Sequence, residues 1–553
     1  MKKNGKKIVL TAPDTDFTDF YNNPILPFFF FSISRYSYGG LLNLFMKGGR
    51  QEVYSDGTAK LAPYGLRKIE ASLLENGFDE DDIVVVHPKH LKNFVGKNTK
   101  AIGISAMNTN GLTYCDQTFT ALIGFGTDSY NSYKFRELMF NKAIKNSNAK
   151  IILGGAGAWQ VKGDYSRKYF GIDSLVIGEG ELVVPALFKD AVEGKPLPPI
   201  IEGQPINEND IPCIRHGAIY GTVEISRGCG RNCQFCTPTK RKRRDIPLSR
   251  IREEININMK FRKYDPEQSR KGKVITPTSI QDNQDLDKKQ EGFLFLATED
   301  LLIYGCRDPK FLPNTEAILD LIQVFIDCGV ETFQPAHISL AASAASPDTV
   351  ERVSEALSYI DDNGEKQVKG IMNYMGKKKY IGVETGLETG SPRIIEKYMR
   401  GKCLPFEPKD WQQVVIDAMG ILNDNHWFPY ASLMIGMPDE TDDDAIKTLE
   451  LLDDLKFAKT FYAPMFFTAL GDCILRNKRS ANMKILSDLQ KEIFLKCWNH
   501  TLKMFEPQLR SGVQKYLLKF AGGFWYNIYY RWREEKNFFK RLVFDVTGLP
   551  ISV

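Results

Sequence analysis

The first 200 residues alternate short, wholly apolar runs with stretches of helical period. The runs are Ile8-Val9-Leu10, Ile83-Val84-Val85-Val86, Ile102-Gly103-Ile104, Ile151-Ile152-Leu153 and Leu175-Val176-Ile177. A strand apolar at successive positions is apolar on both faces, which suits a parallel sheet covered by helices on each side. Leu66, Ile69, Leu73 and Leu74 fall at helical spacing within 64–76, and 182–192 can form another helix. Together these predict a doubly wound α/β domain over 1–200. Pro196, Pro198, Pro199, Pro205 and Pro212 cannot sustain a helix, so 201–220 reads as a linker. From 221 onward, strand candidates at 222–226, 293–297, 338–341, 380–384, 428–435 and 460–465 alternate with helical patterns at 251–259, 315–328, 347–358, 411–423 and 443–455. Six such units predict a partial (β/α)6 barrel over 221–468, with its reactive loops at the strand C-termini. Residues 264–291 are polar and aperiodic, an exposed insertion, and 469–553 are mainly helical in pattern, a cap or substrate domain.

Composition adds bounds rather than chemistry. At 553 residues, 43% hydrophobic and 25% charged, the chain can fill several cores and is not broadly disordered. A net charge of +5 from 73 basic and 68 acidic residues is too small to imply a nucleic-acid partner. The basic N-terminus is followed by no long apolar core of a secretory signal. The apolar run at 24–33 falls well short of the ~20 residues that span a bilayer. Seven of the ten cysteines are scattered, unlike a secreted disulfide framework. The expectation is a cytoplasmic protein, soluble or peripheral at a membrane.

The other three cysteines are clustered. Cys229, Cys233 and Cys236 form C-x3-C-x2-C directly after the first barrel strand, with Gly228 and Gly230 giving the turn its freedom. Thiolates are the usual ligands of iron-sulfur clusters, and three leave one iron of a [4Fe-4S] cluster open. The alternative is a zinc knuckle, which needs a fourth ligand, and no His lies nearby downstream. Cys229-Gly230-Arg231-Asn232-Cys233-Gln234-Phe235-Cys236 resembles the signature of the radical S-adenosylmethionine (SAM) superfamily, including Phe235 before the third cysteine. The resemblance implies that the open iron chelates SAM and that an electron from a reductase or ferredoxin releases a 5'-deoxyadenosyl radical. Tyr380-Ile381-Gly382-Val383-Glu384-Thr385-Gly386 and Met434-Ile435-Gly436-Met437-Pro438-Asp439-Glu440-Thr441 are similar to later strand motifs of that superfamily. They imply SAM contacts at Glu384, Gly436 and Pro438, beside Phe235. Glu299 and Asp300 stand where the family binds the amino end of SAM, in a form that departs from the common GGE; both also suit helix caps. No catalytic acid or base is identified.

The N-terminal domain offers a second cofactor site. Leu153-Gly154-Gly155-Ala156-Gly157-Ala158 and Ile177-Gly178-Glu179-Gly180-Glu181 follow successive strands, and ligands of open α/β sheets sit at such ends. A Rossmann-like domain before the barrel resembles the cobalamin-binding class of the superfamily. That implies cobalamin contacts at Ser105, Met107, Gly154, Gly155, Gly157, Gly178, Glu179, Gly180 and Glu181. The D-x-H-x-x-G motif that ligates cobalt elsewhere is absent, so cobalt without a protein ligand is expected. Ordinary αβ turns are the alternative reading.

For the substrate, the apolar run at 24–31 and Phe524-Trp525-Tyr526-Asn527-Ile528-Tyr529-Tyr530-Arg531-Trp532 point to something apolar or to a membrane interface, or else to packing between domains. Lys240-Arg241-Lys242-Arg243-Arg244 suits phosphate headgroups, an acidic partner or a solvated loop. Lys7-Ile8-Val9-Leu10-Thr11-Ala12 and Ala62-Pro63-Tyr64-Gly65-Leu66-Arg67-Lys68-Ile69-Glu70 resemble an archaeal subgroup that includes tetraether-lipid ring synthases. That resemblance implies radical carbon-carbon bond or ring formation on an isoprenoid membrane lipid. The alternatives are a cobalamin-dependent C-methyltransferase acting on a protein or small metabolite, and an iron-sulfur scaffold or sensor.

Overall fold

The computed structural model describes residues 4–18, 24–38, 53–122, 128–237, 240, 242–262, 292–370, 372–375 and 378–505. The insertion expected at 264–291 and the aromatic stretch 524–532 lie outside these. The chain divides into two compact units: Met1–Glu299 with Asp320–Ala336 and Thr468–Asn477, and Asp300–Leu319 with His337–Phe467 and Lys478–Val553.

In the first unit the expected doubly wound fold is present. Strands β1 (Ile8–Thr11), β2 (Ile83–Val85), β3 (Ala101–Ser105), β4 (Lys150–Gly154), β5 (Ser174–Ile177) and β6 (Ile200–Glu202) form one sheet in the order 2-1-3-4-5-6. All its pairings are parallel. β1, β2 and β5 are buried throughout, as their unbroken apolar runs require. One face packs on helices Tyr64–Glu75 and Val184–Val192 through Leu66, Leu73, Leu187 and Phe188. The other packs on Tyr130–Met139 and Asp164–Phe170 through Phe135, Leu138 and Phe170. Gly103 sits mid-strand because a Cβ there would lie 2.6 Å from Leu10 Cδ2 and 2.7 Å from Phe188 Cζ. β1 and β3 are neighbours joined through β2, so the strand order reverses there, the place where a doubly wound sheet opens a crevice.

The structure corrects several local readings. Ile201 and Glu202, expected in the linker, belong to β6, because the Ile200-Ile201 pair suits an edge strand even between prolines. The strand expected at 222–226 is two short pieces with different partners. β7 (Val223–Glu224) pairs with β10 (Phe293–Ala297), and β8 (Ser226–Arg227) pairs antiparallel with β9 (Arg244–Asp245). β11 (Thr332–Pro335) completes the β7-β10-β11 parallel sheet. The strand expected at 338–341 is therefore misplaced: Ser339 caps helix Leu340–Ala345, an N-cap followed by Ala-rich helix formers.

The second unit carries hairpin β12 (Ser358–Ile360) and β13 (Lys366–Val368), and a sheet of β14 (Met372–Met375), β15 (Lys378–Glu388), β16 (Trp427–Ile435) and β17 (Phe461–Phe466). β15, β16 and β17 are parallel and β14 is antiparallel, an addition that the barrel pattern does not predict. Helices Pro392–Cys403 and Trp411–Asp424 lie between β15 and β16 in the chain, and Asp442–Asp454 lies between β16 and β17. A Thr441/Asp444 capping box starts the last of them. Helix Asp488–Phe505 agrees with the helical pattern expected beyond 469. No helix among the described residues is long and apolar enough to cross a membrane.

Candidate functional site

The two-residue ladder of β8 and β9 closes the cysteine loop, setting Ser226 against Asp245 and Arg227 against Arg244. Gly228 turns with φ +74°, and a Cβ there would lie 2.1 Å from the Lys242 carbonyl oxygen, so only glycine fits. Inside the loop, Cys229 N donates to Lys240 O at 2.6 Å and Cys236 N to Cys233 O at 3.1 Å. Its base is fixed to β10 by Ile225 N to Ala297 O at 3.0 Å and by the Ser226 and Thr298 hydroxyls at 2.7 Å. Cys233 is buried and Cys229 and Cys236 are half-buried, and none of the ten cysteines is in a disulfide. Burial pushes the Cys229 thiol up, a tendency that coordination to iron reverses. Phe235 is buried, its carbonyl accepts from Tyr114 Oη at 2.9 Å, and the two rings meet edge-on. Lys240 Nζ lies 3.4 Å from Glu299 Oε2, so the sequence-predicted Glu299 stands beside this loop.

Among the described residues no three His, Cys, Asp or Glu side chains converge as one metal ion requires. Three thiols on one short loop fit a four-iron cluster, where each thiolate takes a different iron.

A crevice of about 250 Å³ opens at the strand ends of the first unit. Ser105, Gly154, Gly155, Gly178, Glu179, Gly180 and Glu181 line it, as do Leu10, Tyr64, Lys68, Glu224 and Arg227. Its volume is below the ~300–1,000 Å³ usual for pockets that enclose a whole ligand. It therefore suits one arm of a large ligand, such as a cobalamin tail. Two predicted contacts are elsewhere. Met107 is exposed and its N–H donates to Asp16 Oδ2 at 3.0 Å. Gly157 is glycine because the backbone of Asn108 lies 2.8 Å from where its Cβ would be, which is loop against loop rather than loop against ligand.

The carboxylates of Glu179 and Glu181 are held in ion pairs while their backbone shapes the crevice. Arg227, 11% exposed, reaches Glu179 at 2.9 Å, Glu181 at 2.5 Å and Glu224 at 2.8 Å. Arg244 Nη1 reaches Glu179 Oε2 at 3.0 Å. Burial alone would raise the Glu179 carboxyl, but Arg244 and Arg227 hold it below its usual range. Burial acts on Arg227 in one sense and the carboxylates of Glu224 and Glu181 in the other, and the carboxylates prevail, raising its pKa. Deeper in the same wall, Glu254 accepts from Lys68 at 2.5 Å and from Tyr64 Oη at 2.6 Å, and Glu224 N donates to Tyr64 Oη at 3.2 Å. Burial and the negative charge of Glu254 and Glu224 push the Tyr64 phenol well up, so it stays a neutral donor. Arg227 precedes Cys229 by two residues, so one partly buried network joins the crevice to the cysteine loop.

No protein-family model matches the chain. A tRNA-2-methylthio-N(6)-dimethylallyladenosine synthase of Thermosipho africanus is 23% identical over 362 residues, covering 63% of this chain and 70% of the synthase. Two structures of the radical SAM methyltransferase TsrM from Kitasatospora setae are similar in overall course. The one with tryptophan and the SAM analogue aza-SAM has TM-score 0.47 and 12% identity, covering 84% of this chain and 75% of that one. The one with cobalamin and a [4Fe-4S] cluster has TM-score 0.49 and 12% identity, covering 88% and 81%. At that similarity a shared site does not follow, and the chain's own residues have to carry the assignment.

The second unit places the remaining candidates. Glu384 lies on β15 with its carboxylate 3.1 Å from His337 Nε2, both side chains partly exposed. His337 bridges to Glu384 through the backbone too, and Ile338 N donates to Glu384 O at 3.0 Å. Sequence reasoning passed over His337 because the strand was placed after it. Gly436 turns at the end of β16 with φ +78°, and its N–H and that of Met437 donate to Glu440 at 2.6 and 3.0 Å. Pro438 is half-buried in the same turn. Asp300 is buried and accepts from Leu302 N at 3.2 Å and Ser339 N at 3.1 Å. Its carboxylate thus does the capping that the sequence left as the alternative.

Proposed function

We propose that this chain is a cobalamin-dependent radical SAM enzyme that transfers a methyl group to an unactivated carbon. The observation that carries this reading is the Arg227 network, which joins a Gly-rich crevice of the α/β sheet to the loop of Cys229, Cys233 and Cys236. Those thiols would hold a [4Fe-4S] cluster and the crevice a cobalamin arm; bound, they would supply an adenosyl radical from SAM and a transferable methyl group. The chain's own residues bind and orient. Gly154, Gly155 and Gly178 admit a ligand close to the backbone, and Tyr64 and Lys68 are both held in the wall by Glu254. Group transfer also accords with the Thermosipho relative, named for a methylthio-bearing nucleoside.

Carbon-carbon coupling on an isoprenoid lipid is the second reading, favoured by a face of exposed aromatic rings on the first unit. Anaerobic reconstitution with iron, sulfide, SAM, hydroxocobalamin and a reductant tests both. Methyl transfer gives S-adenosylhomocysteine with 5'-deoxyadenosine, whereas lipid coupling gives 5'-deoxyadenosine alone and lipid products that have lost hydrogen. If a variant with Ala at all three cysteines kept the iron-sulfur absorption and cleaved SAM, the assignment would fail.

A further inference from the structure

Helix Asp164–Phe170 and the turn that runs from Phe140 into helix Lys142–Lys145 pack on the sheet face opposite helices Tyr64–Glu75 and Val184–Val192. Three aromatic side chains project from them: Tyr165, 81% exposed, Tyr169, 52%, and Phe140, 42%. They form one body, with Tyr165 stacked on Tyr169 at 6.2 Å and 14°, and Tyr169 meeting Phe140 edge-on at 5.4 Å. Phe140 and Tyr169 both touch Phe170, which is buried against Phe135, so the core holds the group in place. Lys142, Lys145 and Lys168 stand on the same two elements, and no carboxylate lies within 4 Å of their ammonium groups among the described residues. Lys145 lies over the Phe140 ring at 4.9 Å and donates to Phe170 O at 3.1 Å. Asp164, the acidic residue of the helix, is paired with Arg167.

We propose that this patch docks the protein on an anionic lipid bilayer, whichever of the two reactions above the chain performs. Rings that can enter the headgroup region, flanked by cations that stay wet, are the chemistry of peripheral attachment. Charge complementarity selects the partner, since three unneutralised lysines at one edge favour a negative surface. The rings stack on one another, so they offer a continuous apolar surface rather than separated faces between which nucleic-acid bases could insert.

The test is co-sedimentation of the full-length protein with vesicles of phosphatidylcholine alone or mixed equally with phosphatidylglycerol, at low and high salt. Wild type should pellet with the anionic vesicles, and less so as salt rises. Lys142→Glu, Lys145→Glu and Lys168→Glu together should weaken that binding at least about 100-fold, the weight of three lysines near an anionic surface. Tyr165→Ser alone, at a side chain outside the core, should weaken it several-fold and leave the unfolding midpoint unchanged. Wild type remaining in the supernatant, charge-reversed protein binding like wild type, or equal retention by neutral vesicles would each overturn the proposal. So would competition by a short single-stranded RNA that the Tyr165→Ser change abolishes.

Discussion

Replacing Glu179 by glutamine removes one charge from between two guanidinium groups. Arg227 and Arg244 stand directly opposite one another on β8 and β9, and like charges so placed are destabilising. Glu179 relieves that repulsion by bonding both, at 2.9 Å to Arg227 and 3.0 Å to Arg244 Nη1. After the change Arg227 retains Glu181 and Glu224, whereas Arg244 retains the Ile206 carbonyl. Removing one partner of a buried pair costs about 3–5 kcal/mol, and with Arg227 still paired the lower end applies, about 3 kcal/mol. Glu181→Gln is the control: Arg227 is its partner and keeps two carboxylates, so about 1 kcal/mol is expected. Because the two arginines hold the Glu179 carboxyl low, its stabilisation is present above the usual carboxylate range and is lost as pH falls through its folded value. The gap between wild type and Glu179→Gln should therefore close in acid. Urea unfolding of the unreconstituted protein at neutral and acid pH measures the gap, and iron bound per chain after reconstitution reports the cysteine loop. Equal losses for Glu179→Gln and Glu181→Gln, or a gap that widens in acid, would refute the bridging argument.

Other outcomes follow from particular contacts. Arg227→Met should lower hydroxocobalamin affinity, read by absorbance, and alter the electron paramagnetic resonance of the reduced cluster, with Arg227→Lys restoring neither fully because one ammonium cannot reach three carboxylates as the guanidinium fork does. Burial raises the Glu440 carboxyl to about 7 against donors from Gly436, Met437 and Gln490. Stability should thus fall as pH rises from the usual carboxylate range to about 7 and level off above it, and Glu440→Gln should flatten that profile in thermal melts. Gly155→Ala introduces a Cβ 2.7 Å from Ala106 N at φ +89°, so about 1–3 kcal/mol should be lost in urea unfolding, together with cobalamin binding.

What could be read from the sequence was local. Ile8-Val9-Leu10 and Ile151-Ile152-Leu153 announce buried parallel strands because burial on both faces leaves no alternation. Gly154, Gly155 and Gly178 announce a crevice, and the cysteine spacing announces its loop, because short motifs carry their own geometry. The strand at 332–335 was harder: Thr332-Phe333-Gln334-Pro335 is a weak run, and the better apolar run after it begins a helix once Ser339 caps it. Asp300 could equally face a ligand or a backbone, and only the fold shows Leu302 and Ser339 N–H aimed at it. The polar wall was beyond reach. Arg227 meets Glu179 from 48 residues away and Lys68 meets Glu254 from 186, and no periodicity encodes such pairs.

Those long-range pairs change what the two motifs mean together. Each alone admits a modest reading, an αβ turn for Gly178-Glu179-Gly180-Glu181 and a bare thiol loop for the cysteines. A fold that needed these turns for backbone geometry alone would leave Glu179 and Glu181 in water, where a carboxylate is cheaply solvated. Here Glu181 is buried and Glu179 half-buried, and both are satisfied from the ladder that closes the cysteine loop. Two guanidinium groups face three carboxylates across this wall, so neither loop can shift without stranding a charge of the other. The crevice and the thiols are thereby held in one register, which is what two cofactors acting on the same carbon would require of the protein.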